Sequence, residues 1–177
     1  MIEKRHTVRK YLDKPLDMDL IGLLNDCIEQ INKLYDLTFK LVTNNSDGLS
    51  SLARLMSNNS VQNYIILAGK DSSDLDEKIG YCGADLILYA QGLGLNTWWC
   101  GGMFNGKNAL KHLDDKTVRV NGVIAIGYGK TQGIPHKSKR PDQISYYQGK
   151  APDWFKSGIK ALLLAPSALN RQPYIVD

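Results

Sequence analysis

The chain has 177 residues, 43% hydrophobic and 23% charged, with a formal net charge of +4 and a pI of about 8.9. That length suits one compact domain spanning 1–177 and is too short for two ordinary ones. Its apolar runs, such as Ala161 to Ala165, fall far short of the roughly 20 residues of a membrane span, and the Met-Ile-Glu-Lys-Arg start lacks the apolar stretch of a signal peptide, so a cytoplasmic location is expected.

Residues 19–33 carry Leu20, Ile21, Leu23, Leu24, Cys27, Ile28 and Ile31 at helical spacing, with Asp17 or Asp19 as N-cap after Pro15. Residues 37–43 alternate and predict a strand. Residues 48–56 predict a short helix between Asn/Ser-rich loops, and 64–68 a buried strand. Residues 74–93 form the longest predicted helix, with Ile79, Cys82, Leu86, Ile87, Ala90 and Leu93 on one face. Gly83 in its middle costs about 1 kcal/mol against Ala and predicts the close approach of another backbone.

A short strand follows over 96–100, closed by Gly101-Gly102, then a short helix over 105–112 and a strand over 118–128. Residues 129–150 read as a long polar loop without a core pattern, a length that points to function or mobility. A helix is predicted over 152–164, a turn-rich loop over 165–173, and a strand starting at 174–176. Helices and strands mix without strict βαβ alternation, so the expected fold is an α+β sandwich with a central, largely antiparallel sheet covered by helices. Cys27, Cys82 and Cys100 show no Cys-x-x-Cys pairing, which argues against a disulfide framework or a zinc site. Cys27 and Cys82 read as core thiols. His6, His112 and His136 are too scattered for a metal site.

Four segments carry chemistry. Arg5-His6-Thr7-Val8-Arg9 gathers guanidinium, imidazole and hydroxyl donors suited to a phosphate or an electron-rich carbonyl. In Gly92 to Gly102 a helix ends, a strand follows and two glycines close it, which lets backbone N–H groups approach a flat ligand. Lys137-Ser138-Lys139-Arg140-Pro141 is a basic cluster after the strand ending Gly127-Tyr128-Gly129. Ala165 to Tyr174 places Ser167, Asn170 and Gln172 between prolines, with amides that both donate and accept. Each alone is equally a solvated basic segment, a tight turn, a charge run or a plain polar loop. No Gly-x-Gly-x-x-Gly lies between a strand and a helix, so a dinucleotide fingerprint is absent.

Together the four segments resemble the nitroreductase-like flavoproteins. That family opens with Arg-x-Ser/Thr-x-Arg/Lys, carries a glycine-flanked GLG…GG segment, has a strand ending Ile-Gly-Tyr before a basic cluster, and has a Pro-Ser-x-x-Asn-x-Gln-Pro-aromatic signature. Here these are Arg5 to Arg9, Gly92 to Gly102, Ile126 to Pro141, and Pro166 to Tyr174. The resemblance implies a homodimer with FMN at its interface and NAD(P)H as electron donor. It implies Arg5, His6 and Thr7 on the FMN phosphate, Arg9 near flavin N1 and O2, and the N–H groups of Gly101 and Gly102 toward N5 and O4. Lys137, Lys139 and Arg140 would complete the phosphate clamp, with the contacting member open. Ser167, Asn170 and Gln172 would meet the flavin or ribityl chain from the same subunit or its partner.

Two features depart from the pattern. The Pro-Ser-x-x-Asn-x-Gln-Pro signature lies near the C-terminus rather than the N-terminus, which looks like a rearranged subfamily. The chain also stops just after it, where a further strand and helix are expected, so the C-terminal region is either natively short or absent. The implied activity is transfer of electrons from NAD(P)H through FMN to a nitroaromatic, quinone or similar small acceptor, by ping-pong kinetics. The alternative is an FMN-binding carrier or sensor without efficient turnover. No metal, nucleic acid or membrane is expected as a partner.

Overall fold

The computed structural model of the chain describes residues 2–177. Two compact units emerge, Glu3–Ile134 and Pro135–Asp177, the latter joined by Ile2. The first holds helices α1 (Met18–Tyr35), α2 (Ser51–Met56), α3 (Leu75–Gly92) and α4 (Gly106–His112), with strands β1 (Lys40–Val42), β2 (Tyr64–Gly69), β3 (Asn96–Cys100) and β4 (Arg119–Gly127). The strands form one antiparallel sheet in the order β1-β2-β4-β3. The expected α+β architecture is what is found.

Alternation along each strand explains why the sheet is buried on both faces. Leu41, Ile65, Ile124 and Trp99 stand side by side in register, facing a core built with Leu24, Ile28 and Ile31 of α1 and Ile79, Cys82 and Leu86 of α3. The adjacent row, Val42, Tyr64, Ala125 and Trp98, faces the opposite core with Ala53 of α2, Ala109 of α4, Leu49 and Val61. All six β2 residues are buried, as the unbroken apolar run of a two-sided strand requires.

Three local expectations change. The strand predicted over 37–43 is shorter, because Asn32 takes over the backbone groups of Phe39: its Nδ2 donates to the Phe39 carbonyl and its Oδ1 accepts from the Phe39 amide, both at 2.8 Å. Gly83 accommodates a side chain and not a backbone, for a Cβ built there would lie 2.5 Å from Trp99 Cη2. Trp98 and Trp99 both enter cores, on opposite faces. Cys82 and Cys100 are buried, their thiols pushed up by burial to about 11 and about 12, whereas Cys27 is half-buried.

In the second unit, the supposedly coreless loop contributes a 3-10 turn over Pro141–Gln143 and a buried Ile144. Ile144 packs with Phe155, Ile159 and Leu163 of helix α5 (Asp153–Leu164), at the i, i+4, i+8 spacing of one face. The strand expected at 174–176 is reduced to a single parallel bridge, Ser145 to Val176.

The Trp99 contact gives Gly83 a steric reason to be glycine. Helix propensity alone favours Gly83→Ala by about 1 kcal/mol; overpacking against the indole costs about 1–3 kcal/mol. Urea unfolding should show Gly83→Ala destabilising the chain, and neutral or stabilising when Trp99→Leu is present. Stabilisation in the parent background would contradict the contact.

Candidate functional site

Residues 7 and 8 dock on the outer edge of β3, and residues 10–12 on the chain that follows β4. Thr7 bridges Thr97 in parallel, and the Val8 amide donates to the Thr97 carbonyl at 3.0 Å. Further on, Tyr11 bridges Gly129 and the Leu12 amide donates to the Tyr128 carbonyl at 2.7 Å. Tyr11 pins the segment from inside: its hydroxyl donates to the Val8 carbonyl at 2.7 Å, with the Ala125 carbonyl at 3.2 Å, and burial holds its proton well above the usual range. The basic motif is therefore docked on the sheet and not a loose tail.

Its side chains divide by environment. Arg5 is 8% exposed, and burial lowers its pKa from the ordinary guanidinium value. Among the described residues only two buried side-chain polar atoms lack a hydrogen-bond partner, Arg5 Nε and His6 Nδ1. They belong to consecutive residues. Such an orphan costs about 1–3 kcal/mol and singles out this pair within the chain. Thr7 is half-buried and Arg9 exposed, with the Arg9 guanidinium 5.5 Å from the centre of the Trp98 ring.

Thr7 meets β3 near its Asn96 end, and residues 10–12 pair with Tyr128 to Lys130 beyond that end; Gly101 and Gly102 follow the opposite end of the strand. Both glycines are exposed and neither has positive φ. A Cβ on Gly102 would meet nothing within 4 Å, and one on Gly101 only ordinary contact with the Trp99 ring at 3.5 Å. The chain's own packing does not demand glycine here, which leaves the approach of a ligand as a reason for it.

Three residues escaped the sequence reading. Asn96 is buried and ties the 129–132 turn to β3: its Oδ1 accepts from the Gly129 amide at 3.0 Å and its Nδ2 donates to Gln132 Oε1 at 3.1 Å. Gly129 is required there, since a Cβ would fall 2.6 Å from Asn96 Oδ1. Gly133, with φ of +79°, brings its backbone against His6, where a Cβ would lie 2.7 Å from the His6 Cβ. The glycines at 127, 129 and 133 were the available signal; a polar strand residue such as Asn96 gave none.

In the second unit the other predicted residues brace one another. The Lys139 amide donates to Gln172 Oε1 at 2.7 Å and its Nζ to the Gln172 carbonyl at 2.9 Å. Gln172 Nε2 donates to the Leu163 carbonyl at 3.0 Å, and its amide to Ser167 Oγ at 3.0 Å. Asn170 Nδ2 donates to the Lys137 carbonyl at 2.9 Å. Gln172 is fully buried, so its amide is spent as an internal brace. Arg140 is paired with Asp142 at 2.9 Å. Leu169, Asn170 and Gln172 have φ of 52°, 55° and 45°, a left-handed backbone that these contacts hold in place.

No group of three or more His, Cys, Asp or Glu side chains suited to a metal occurs among the described residues, and no described helix is long and apolar enough to cross a membrane. A cavity of about 430 Å³ lies within the second unit against Tyr147, Phe155 and Ile159, and a polar one of about 440 Å³ lies by Asn44, Asn45 and Gln62. Neither is lined by Arg5 to Arg9.

The fold has many relatives of known structure. A protein of Thermotoga maritima described as a putative nitroreductase superposes with a TM-score of 0.67 at 21% identity, covering 99% of this chain and 69% of that one. An FMN-dependent nitroreductase from Clostridium difficile gives 0.61 at 16% identity over 77% and 90% of the two chains. A Desulfovibrio desulfuricans protein, described as a putative nitroreductase in complex with FMN, gives 0.63 at 14% identity over 85% and 95%. No curated protein sequence matches. The family model described as "Putative TM nitroreductase" matches residues 1–177 in full, and the chain belongs to that nitroreductase family.

Proposed function

We propose that the chain is an FMN-dependent oxidoreductase taking electrons from NAD(P)H and passing them to a nitroaromatic, quinone or similar small acceptor. The observation that carries this is the buried Arg5 guanidinium beside His6, with Nε and Nδ1 unpartnered. A monophosphate supplies the acceptors they lack, through charge-assisted hydrogen bonds. One phosphate matches FMN, and the absence of a dinucleotide fingerprint disfavours FAD. Family membership and the FMN of the C. difficile and D. desulfuricans proteins support the same reading.

In this reading Arg5, His6 and Thr7 hold the phosphate. Arg9 would provide a cation for the N1–O2 edge, where reduction builds negative charge, while Gly101 and Gly102 would offer N–H groups toward N5 and O4. Lys137, Lys139 and Arg140 are the candidates to complete the phosphate clamp, and Ser167 and Asn170 those for the ribityl side, from the same chain or a second copy; Gln172, buried and braced on Lys139 and Leu163, is withdrawn from that role. Of the three cations, Lys137 alone has a side chain without an ion pair or hydrogen bond among the described residues. Bound FMN supplies the two-electron chemistry; the chain supplies position and charge. Donor and acceptor share one cleft in turn, hence ping-pong kinetics. The position of the Pro166 to Tyr174 signature supports a rearranged subfamily, and the protein is read as cytoplasmic.

Heat-released supernatant should contain FMN, and the FMN-loaded chain should oxidise NAD(P)H with a quinone or nitroaromatic acceptor. Release of FAD, or no saturable FMN uptake, would refute the cofactor; tight FMN binding without turnover would favour the carrier reading.

Arg5→Met keeps the side-chain bulk and removes the orphaned donor. The ligand-free variant should be at least as stable to urea as the parent, gaining up to about 1–3 kcal/mol, while inorganic phosphate no longer raises its melting temperature. Lower stability without ligand would mean the guanidinium is already satisfied.

A two-fold dimer would let each copy cover its partner's flavin, and Met18, Leu34, Leu52 and Leu55 present exposed apolar side chains on α1 and α2. Light scattering of the FMN-loaded protein should give a dimer mass; a monomer at micromolar concentration with FMN still bound would exclude it.

A further inference from the structure

The segment that follows Gly101-Gly102 is held by a cluster the flavin reading does not use. Asp47, in the turn between β1 and α2, receives the Tyr64 hydroxyl on Oδ1 at 2.7 Å. His112 Nε2 lies 3.0 and 3.1 Å from its two carboxylate oxygens. Tyr64 is fully buried in β2 and meets the His112 ring edge to face at 6.3 Å. His112 is the last residue of α4, where the helix dipole favours a cation. One carboxylate thus joins a central strand, a helix end and a turn.

That turn is zipped onto the chain after β3. The Ser50 amide donates to the Met103 carbonyl at 3.1 Å and the Asn105 amide to the Gly48 carbonyl at 2.7 Å, with Leu49 bridging Phe104 between them. Asn108 Nδ2 donates to the Asp47 carbonyl at 3.2 Å, and the Asn105 side chain caps α4 through the Asn108 amide at 3.1 Å. Gly48 has to be glycine, since a Cβ would lie 2.4 Å from the Tyr64 ring. Asp47 is therefore two short links from the Gly101-Gly102 turn.

We propose that Asp47 is the positioning residue for the Gly101-Gly102 turn. The proposal rests on the flavin reading only in what the turn is positioned for. The bonds from Tyr64 and His112 end on a carboxylate, which makes them charge-assisted. Asp47 is the ionised acceptor of this cluster: burial raises its pKa, but hydrogen bonds from Tyr64 and His112 outweigh that and leave it below the usual carboxylate range. The other charges near this cluster are engaged: Lys111 Nζ donates to Asn108 Oδ1 at 3.0 Å, and Asp114 pairs with Lys40 at 3.6 Å.

Hydrogen exchange of the full chain without flavin, expressed as protection relative to intrinsic rates, tests the hold itself. Protection of residues 101–112 should fall by about fivefold in Asp47→Asn, which keeps the shape and removes the charge that the two donors meet, and by less in Tyr64→Phe. Unchanged protection in Asp47→Asn overturns the hold. FMN and riboflavin should both bind Asp47→Asn about fivefold more weakly than the parent, because the flavin reading sets the turn beside the ring they share. Parent-like affinity for both overturns the positioning role. Failure of the parent chain to bind either flavin overturns the flavin reading instead, and the exchange data then decide the hold alone.

Discussion

The outer edge of β3 is met by residues 7 and 8, through the Thr7–Thr97 bridge and the Val8–Thr97 hydrogen bond, while the Tyr11 hydroxyl on Val8 and the Leu12–Tyr128 bond fix the chain that follows. The same contacts decide where Arg5, His6, Thr7 and Arg9 stand. A segment that caps a sheet edge is held by backbone bonds, so its side chains are free for another task. Arg5 shows that freedom most plainly: it is buried, it carries charge, and its Nε has no partner within the chain.

A fold selected for stability alone would fill that place with an apolar side chain. Keeping an unsatisfied guanidinium there costs stability in the ligand-free chain and makes sense where an anion repays it on binding. The glycine pair at the other end of β3 fits the same logic, since no packing contact or backbone angle in the chain requires it. Charge at one end and open backbone at the other give the strip a direction. FMN has the same polarity, phosphate at one end and a flat ring at the other.

Much of the first unit was legible because period-2 and period-3.6 patterns leave strong traces. That Tyr64 and Ile65, Ile124 and Ala125, and Trp98 and Trp99 face opposite ways follows from alternation alone, while which of them share a face comes from the register. The start of β1 was not legible, because the Asn32 side chain replaces strand partners around Phe39, and a single polar residue late in a helix gives no pattern to read. The core under Ile144 was missed because one apolar residue inside a polar loop has no period, and its partners lie on α5. Gly83 was read as admitting a backbone when it admits the Trp99 ring, a choice that needs the sheet register to make. At the site, the motif segments were visible, yet their division of labour was not. Gln172 looks ligand-directed in sequence and is consumed by Lys139 and Leu163 in space. Asn96 looks like an ordinary strand residue and anchors the turn beside His6.

The central claim is that the Arg5–Thr7 end of the strip recognises a phosphate. Titration of the chain with FMN and with riboflavin, which lacks the phosphate, measures this directly. With charge-assisted hydrogen bonds of about 1.5–3 kcal/mol each, FMN should bind at least about a hundredfold more tightly than riboflavin. The Arg5→Ala, Thr7→Ala double variant should lose most of that preference while its riboflavin affinity stays unchanged. Equal affinities for the two ligands in the parent chain, or a preference that survives the double substitution, would contradict the account.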